Sequence, residues 1–250
     1  MTTPILQVQN LKKIFTRNGQ SDFLAVDGVS FDVAPGECVG LIGESGSGKS
    51  TVANMIARLL NPTGGQIFLD GEDVTKTDVR AVCRKVQMIF QSPQESFDPR
   101  RTLGDGIGES LLTAGEPASE TAEEVSRLLE AVGLSSDFMC RYPHEVSGGQ
   151  CQRAAIARAL AIEPKLLLCD EATSALDVTV QAEIVSLLSH LMRGHGMACL
   201  FICHDIALAQ SFCDHILVMY RGKIVEEGLP DEVIQSPKQE YTKMLIDSVL

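Results

Sequence analysis

Several things are scarce in this 250-residue chain. No stretch approaches the ~18–20 consecutive apolar residues that a membrane-spanning helix requires. The longest apolar runs, such as MACLFIC at 197–203, have the length of buried strands. The opening MTTPILQVQN lacks the basic start and apolar run of a secretory leader, so none is expected. Basic charge is also short. Lys and Arg number 21 against 33 Asp and Glu, for a formal net charge of −12. Nucleic-acid binding rests on Lys and Arg neutralising phosphates, so this balance argues against it. It also argues against direct adhesion to anionic lipid, and any membrane association is expected to run through a protein partner. There is no internal repeat, low-complexity tract or CxxC pair. The eight cysteines (38, 83, 140, 151, 169, 199, 203 and 213) mostly sit in apolar segments and read as reduced, buried small hydrophobes. A metal site from Cys199, Cys203, His204 and Cys213 is disfavoured, because His204 has a better role below.

What is present is an ordinary globular composition, 44% hydrophobic and 22% charged. The first ninety residues read as strands: ILQVQNL, VSFDV, ECVGLIG, GQIFLDG and VQMIF, with one helix over 49–60. From about 92 to 161 strands vanish, and helical patterns cover 104–114, 119–132 and 149–161. After Pro164 strands return as KLLLCD, ACLFICH and HILVMY, with helices between and after. Continuous apolar strands alternating with helices imply a mostly parallel sheet covered on both faces. The expected organisation is one domain over 1–250. A sheet lobe is built from 1–91 and 162–250, and a helical lobe is inserted at 92–161.

Residues 43–51, GESGSGKST, fit GxxxxGK[ST] directly after the apolar strand CVGLI and at the start of a helix. Gly43, Gly46 and Gly48 let backbone N–H groups turn inward, and Glu44, Ser45, Ser47 and Thr51 complete the loop. The helix start adds its dipole. Lys49 is placed to bridge β- and γ-phosphates and the Ser50 hydroxyl to hold Mg²⁺. KLLLCDEATSALD ends a buried strand on Asp170 and Glu171. Beside a phosphate loop, Asp170 suits the Mg²⁺ shell, and Glu171, one step on, suits polarising an attacking water. Ser147, Gly148 and Gly149 form a second helix start suited to anions.

VSGGQ at 146–150, the phosphate loop and CDEATSALD together resemble the ATP-binding cassette (ABC) ATPases over nearly the whole chain. Val146 replaces the usual Leu, and Cys151 stands where a basic residue or Gln is common. The resemblance implies a P-loop NTPase (RecA-like) α/β core with an N-terminal antiparallel β subdomain and an inserted α-helical subdomain. It also implies ATP and Mg²⁺ as ligands. Two subunits would pack head to tail, so that Ser147, Gly148, Gly149 and Gln150 of one cap the ATP of the other. Gln91 matches the Q-loop that contacts Mg²⁺ and water, Asp177 the D-loop at the dimer interface, and His204 the switch histidine. Phe15 matches the aromatic that stacks on adenine. Asp177 also reads as a helix N-cap.

FQSPQESFDPRRTLGD, RYPHEVSGGQ, SALDVTVQAEIVSLL and SPKQEYTKMLIDSV are similar to the peptide and nickel importer ATPases. Relatives with a C-terminal cysteine cluster exist, and this chain looks like the shorter type. The resemblance implies two membrane-spanning permease subunits, a second ABC ATPase and, indirectly, an extracytoplasmic solute-binding protein. The permeases are expected near residues 91–112, at the cytoplasmic face of the membrane. The alternative is an accessory ATPase of a cytoplasmic assembly of the carbon–phosphorus lyase type. A chromosome-structure ATPase is excluded, because the chain has no room for a long coiled coil between phosphate loop and signature.

Overall fold

The computed structural model describes residues 3–16 and 21–248. Strand β1 (Leu6–Phe15) alternates buried and exposed positions along its first half, as a half-covered strand must. It pairs antiparallel with β2 (Phe23–Val33) on one side and β4 (Gly64–Leu69) on the other. With β5 (Glu72–Asp73) they form a four-stranded sheet in the order β2-β1-β4-β5.

The second sheet has the order β10-β9-β3-β8-β7-β6. Its strands are β3 (Cys38–Ile42), β6 (Val86–Ile89), β7 (Leu166–Asp170), β8 (Ala198–Cys203), β9 (His215–Tyr220) and β10 (Lys223–Gly228). The five strands from β9 to β6 run parallel. Their side chains alternate between two apolar cores. Cys38, Ile42, Cys169, Cys199 and Phe201 enter the core shared with the helical segment. Val39, Leu41, Leu166, Leu168, Leu200 and Ile202 enter the core shared with the antiparallel sheet and α1 (Lys49–Ile56). Burial on both faces explains why these strands read as continuous apolar runs.

Between β6 and β7 the longer elements are all helical: α3 (Leu103–Ala114), α4 (Ala118–Ala131) and α5 (Gly148–Leu160). Thr102 and Asp105 form a capping box that starts α3, and Gly115, at φ 105°, ends it. Later come α6 (Val178–His195), α7 (Ile206–Phe212), α8 (Pro230–Gln235) and α9 (Glu240–Asp247).

The structure corrects three sequence expectations. First, the helix expected over 49–60 ends at Ile56, and Arg58 follows at φ 60°. Second, KIVEEG is a strand, β10, that the sequence reading left out. It is an edge strand with two glutamates, so no apolar run marks it. The Arg221-Gly222 turn, with φ 46° and 81°, has the left-handed pair that a two-residue hairpin prefers. The short α2 (Val79–Cys83) was likewise not expected. Third, Cys140 is exposed and Cys83 half-buried, while the other six cysteines are buried. All eight are free thiols. Cys140 ends a 3₁₀ turn on the helical lobe rather than a core strand.

Candidate functional site

The phosphate loop joins β3 to α1, and its glycines are required by space as well as by φ. A Cβ on Gly43 (φ 148°) would fall 2.2 Å from the Met219 carbonyl oxygen. One on Gly48 (φ 111°) would fall 2.6 Å from the Ala25 carbonyl oxygen. Gly48 N-caps α1 without a side-chain cap, so the first-turn N–H groups keep their donor capacity for an anion. Lys49 is buried, and its Nζ donates to the carbonyls of Gly43 (2.7 Å) and Glu44 (2.9 Å). This holds the ammonium inside the loop. Burial pulls its pKa down, while the carboxylates of Glu171 and Asp170 oppose the shift. A bound polyphosphate would restore the missing negative charge. Among the described residues, the buried Ser47 hydroxyl has no hydrogen-bond partner.

Ser50 Oγ donates to Asp170 Oδ1 at 2.9 Å. Burial raises the Asp170 pKa, helped by Glu171 and opposed by Ser50 and Lys49. A hydroxyl and an under-compensated carboxylate make a hard oxygen pair, which is the donor chemistry Mg²⁺ prefers. The residues present therefore fit the ion. Among the described residues, no group of three or more His, Cys, Asp or Glu could hold a metal. Coordination here would draw on Ser50 and Asp170, with Gln91, hydrogen-bonded to Ser174, as the further candidate.

Glu171 adopts φ 50°, and its backbone N–H donates to the Ile202 carbonyl of β8. That bond is the last rung of the β7–β8 ladder, the left-handed φ then turns the chain out of β7, and His204 Nδ1 lies 3.9 Å from Glu171 Oε1. Gln91 Nε2 donates to Ser174 Oγ (3.2 Å), and Ser174 Oγ donates to the Glu171 carbonyl (3.0 Å). The structure thus brings Lys49, Ser50, Asp170, Glu171, His204 and Gln91 to one end of the parallel sheet. Gln91 reaches the cluster through Ser174, a residue to which the sequence reading assigned no role.

Ser147 and Gln150 form the capping box of α5, each side chain meeting the other's backbone N–H. Ser147 and Gly148 are exposed. A Cβ on Gly149 would meet Val180 Cγ1 at 2.6 Å, so this glycine is required by packing on α6. Asp177 accepts from the Val180 N–H (3.0 Å) and so does cap α6. The signature sits on the helical segment and the phosphate loop on the sheet. Among the described residues, no hydrogen bond joins 147–150 to 43–51. Phe15 ends β1 opposite Phe23, half-buried, with Lys13 Nζ 5.1 Å from its ring centroid.

The profile of the ABC transporter family matches residues 26–174, which include the phosphate loop, signature and acidic pair. The chain belongs to the ABC transporter family. The cassette is 45% identical over 256 residues to the glutathione import ATP-binding protein GsiA of Escherichia coli O6:H1. The match takes in 98% of this chain and 41% of GsiA, so the cassette spans about two fifths of that relative. A putative peptide import ATP-binding protein of Brucella ovis is 43% identical, covering 99% of this chain and 79% of its own length. Among solved structures, the dimeric post-hydrolysis cassette MJ0796 bound to ADP and Pi superposes with a TM-score of 0.82 at 29% identity. The superposition covers 90% of this chain and 98% of that one. CbiO1 of Clostridium perfringens, part of the transporter complex cbiONQ, gives 0.82 at 27%, covering 93% and 91%. The fold is that of an ABC ATPase cassette, a P-loop NTPase core with a mixed set of parallel and antiparallel strands. Among the described residues, no helix is long and apolar enough to cross a membrane.

Proposed function

We propose that the cassette binds and hydrolyses ATP with Mg²⁺ and drives an importer of peptides. The observation that carries this is the convergence of Lys49, the Ser50–Asp170 pair and the Glu171–His204 pair at one sheet end. Lys49 and those loop N–H groups not already bonded within the fold bind the β- and γ-phosphates. Ser50 and Asp170 would hold Mg²⁺, and the ion when bound would supply positive charge against the phosphate oxygens. Glu171 accepts a hydrogen bond from the attacking water and aims it. His204, held beside Glu171, contacts the γ-phosphate. Gln91, hydrogen-bonded to Ser174, reports the state of this cluster to the helical lobe. Phe15 stacks on the adenine ring.

Among the described residues no hydrogen bond joins the signature to the phosphate loop of the same copy, which supports a head-to-tail pair. In that pair Ser147, Gly148, Gly149, Gln150 and Asp177 complete the nucleotide site of the partner copy or of a second ABC ATPase. The dimeric state of MJ0796 supports this arrangement. A cavity of about 540 Å³ between the sheet and helical lobes is lined by Val79, Arg80, Cys83, Gln87, Glu109 and Thr113. Val79 on its rim is 42% exposed, so this groove suits an element of one permease subunit, and the matching groove of the second ATPase suits the other. The cassette then works at the cytoplasmic face of a membrane, fed by a solute-binding protein outside. The relatives named for glutathione and peptide import favour peptide cargo over nickel chelates.

The test is uptake of labelled glutathione and tripeptides by cells lacking the gene, complemented with wild type or Lys49→Ala. Restoration by wild type alone supports the reading. Equal restoration by Lys49→Ala overturns the site, and no peptide uptake with intact ATPase overturns the cargo.

A further inference from the structure

The phosphate loop is held from outside by the β9–β10 turn and by α9, segments given no part in nucleotide binding above. The Gly222 N–H, in the β9–β10 turn, donates to the Ser47 carbonyl at 2.9 Å. Tyr241, near the start of α9, accepts from the Glu44 backbone N–H through its hydroxyl at 3.1 Å. Its ring stacks on Tyr220 of β9, with centroids 4.0 Å apart and planes 26° apart. The guanidinium of Arg221 lies 5.0 Å from the other ring of the pair, Tyr220. The entry to α9 is fixed in turn by Glu226 of β10. Its two carboxylate oxygens accept from the backbone N–H groups of Lys238 (2.7 Å) and Gln239 (3.0 Å).

We propose that Tyr241 is a positioning residue for nucleotide binding: its hydroxyl fixes the Glu44 peptide and so the inward aim of the phosphate loop. The stack on Tyr220 sets where the ring stands, and Glu226 sets where the helix begins. The hydroxyl therefore has one place to be. The Glu44 N–H lies at an exposed residue on the rim of the loop, where water could satisfy it in any orientation; the Tyr241 hydroxyl replaces that mobile partner with a fixed one. A loop free to rotate that peptide must be reordered each time phosphate binds, and the reordering weakens affinity. Burial raises the Tyr241 pKa above its ordinary value of 10.0, with the Glu44 N–H pulling the other way. The phenol stays neutral at physiological pH, so the contact is a neutral hydrogen bond.

The inference rests on 43–51 being the phosphate loop, and the experiment separates the two. Mg-ATP affinity and melting temperature without nucleotide are measured for wild type, Tyr241→Phe, Tyr241→Ala and Lys49→Ala. Phe keeps the stack and removes only the hydroxyl. Tyr241→Phe is expected to weaken Mg-ATP binding about threefold to tenfold, the range for one neutral hydrogen bond. Its melting temperature should stay near wild type, while Tyr241→Ala loses both. Wild-type affinity in Tyr241→Phe, with Lys49→Ala defective, overturns the positioning role alone. A lower melting temperature with unchanged affinity also overturns it, since the hydroxyl would then be structural only. Unchanged affinity in Lys49→Ala overturns the phosphate-loop assignment and the role of Tyr241 with it.

Discussion

Ser50 and Asp170 lie 120 residues apart in the chain and share a 2.9 Å hydrogen bond. Ser50 lies in the first turn of α1 and Asp170 closes β7, and β3, β8 and β7 are adjacent parallel strands. The parallel arrangement puts the C-terminal ends of these strands side by side. The residues that one copy contributes to phosphate and water in the proposed reaction stand at that end, as expected for ligand sites of open α/β sheets.

Glu171→Gln should separate closure from turnover. Gln keeps the shape but cannot act as a carboxylate base, so phosphate release should fall about 10²-fold or more. Lys49, Ser50 and Asp170 are untouched, and the variant should accumulate as an ATP-bound dimer in size-exclusion chromatography. Phosphate release near wild type would remove Glu171 from the mechanism.

Gly149→Ala should destabilise the junction between α5 and α6. The new methyl would meet Val180 Cγ1 at 2.6 Å, and Val180 is β-branched with little rotamer freedom. Overpacking of this kind costs about 1–3 kcal/mol. Urea unfolding should show the loss, and Val180→Ala should recover much of it in the double variant. Additive losses would place the strain elsewhere.

Thiol titration should report burial. Cys140 should react fast in the folded protein and Cys83 more slowly, with the six buried thiols reacting only on unfolding. Burial raises Cys151 to about 11 and Cys203 to about 12, which keeps both protonated and unreactive. Reductant should leave the melting temperature unchanged. A reductant-sensitive melting temperature would point to a disulfide.

Stability should depend on Glu226 at acid pH. Burial raises its pKa, but the N–H groups of Lys238 and Gln239 outweigh it, leaving the pKa below the ordinary 4.5. A depressed carboxyl pKa contributes stability that is present above 4.5 and lost as pH falls through the folded value. Glu226→Gln should lower the melting temperature at pH 7 and flatten its fall between pH 5 and 3. An unchanged slope would mean that other carboxylates, such as Asp73 and Asp105, carry the acid response.

The sequence by itself determined the class of fold and most of the proposed site. Its apolar strands are buried on both faces, and runs such as CVGLI and LLLC report that directly. The motifs 43–51 and 146–150 are contiguous because a helix start offers successive backbone N–H groups, and 169–177 because it runs from the end of β7 to the cap of α6. Tertiary structure decided what depends on contacts between distant segments. β10 is an amphiphilic edge strand, recognisable only once it pairs with β9. Ser174 gains its role only when Gln91 arrives from 83 residues away. Gly149 reads as an anion-binding glycine, yet Val180 is what forbids a side chain there. Tyr241 reads as part of a terminal helix until that helix docks and its hydroxyl meets Glu44, 197 residues upstream. Local patterns record what a residue does for its own element. A hydrogen bond across the fold leaves no period in the chain, because its geometry exists only after the sheet has brought both ends together.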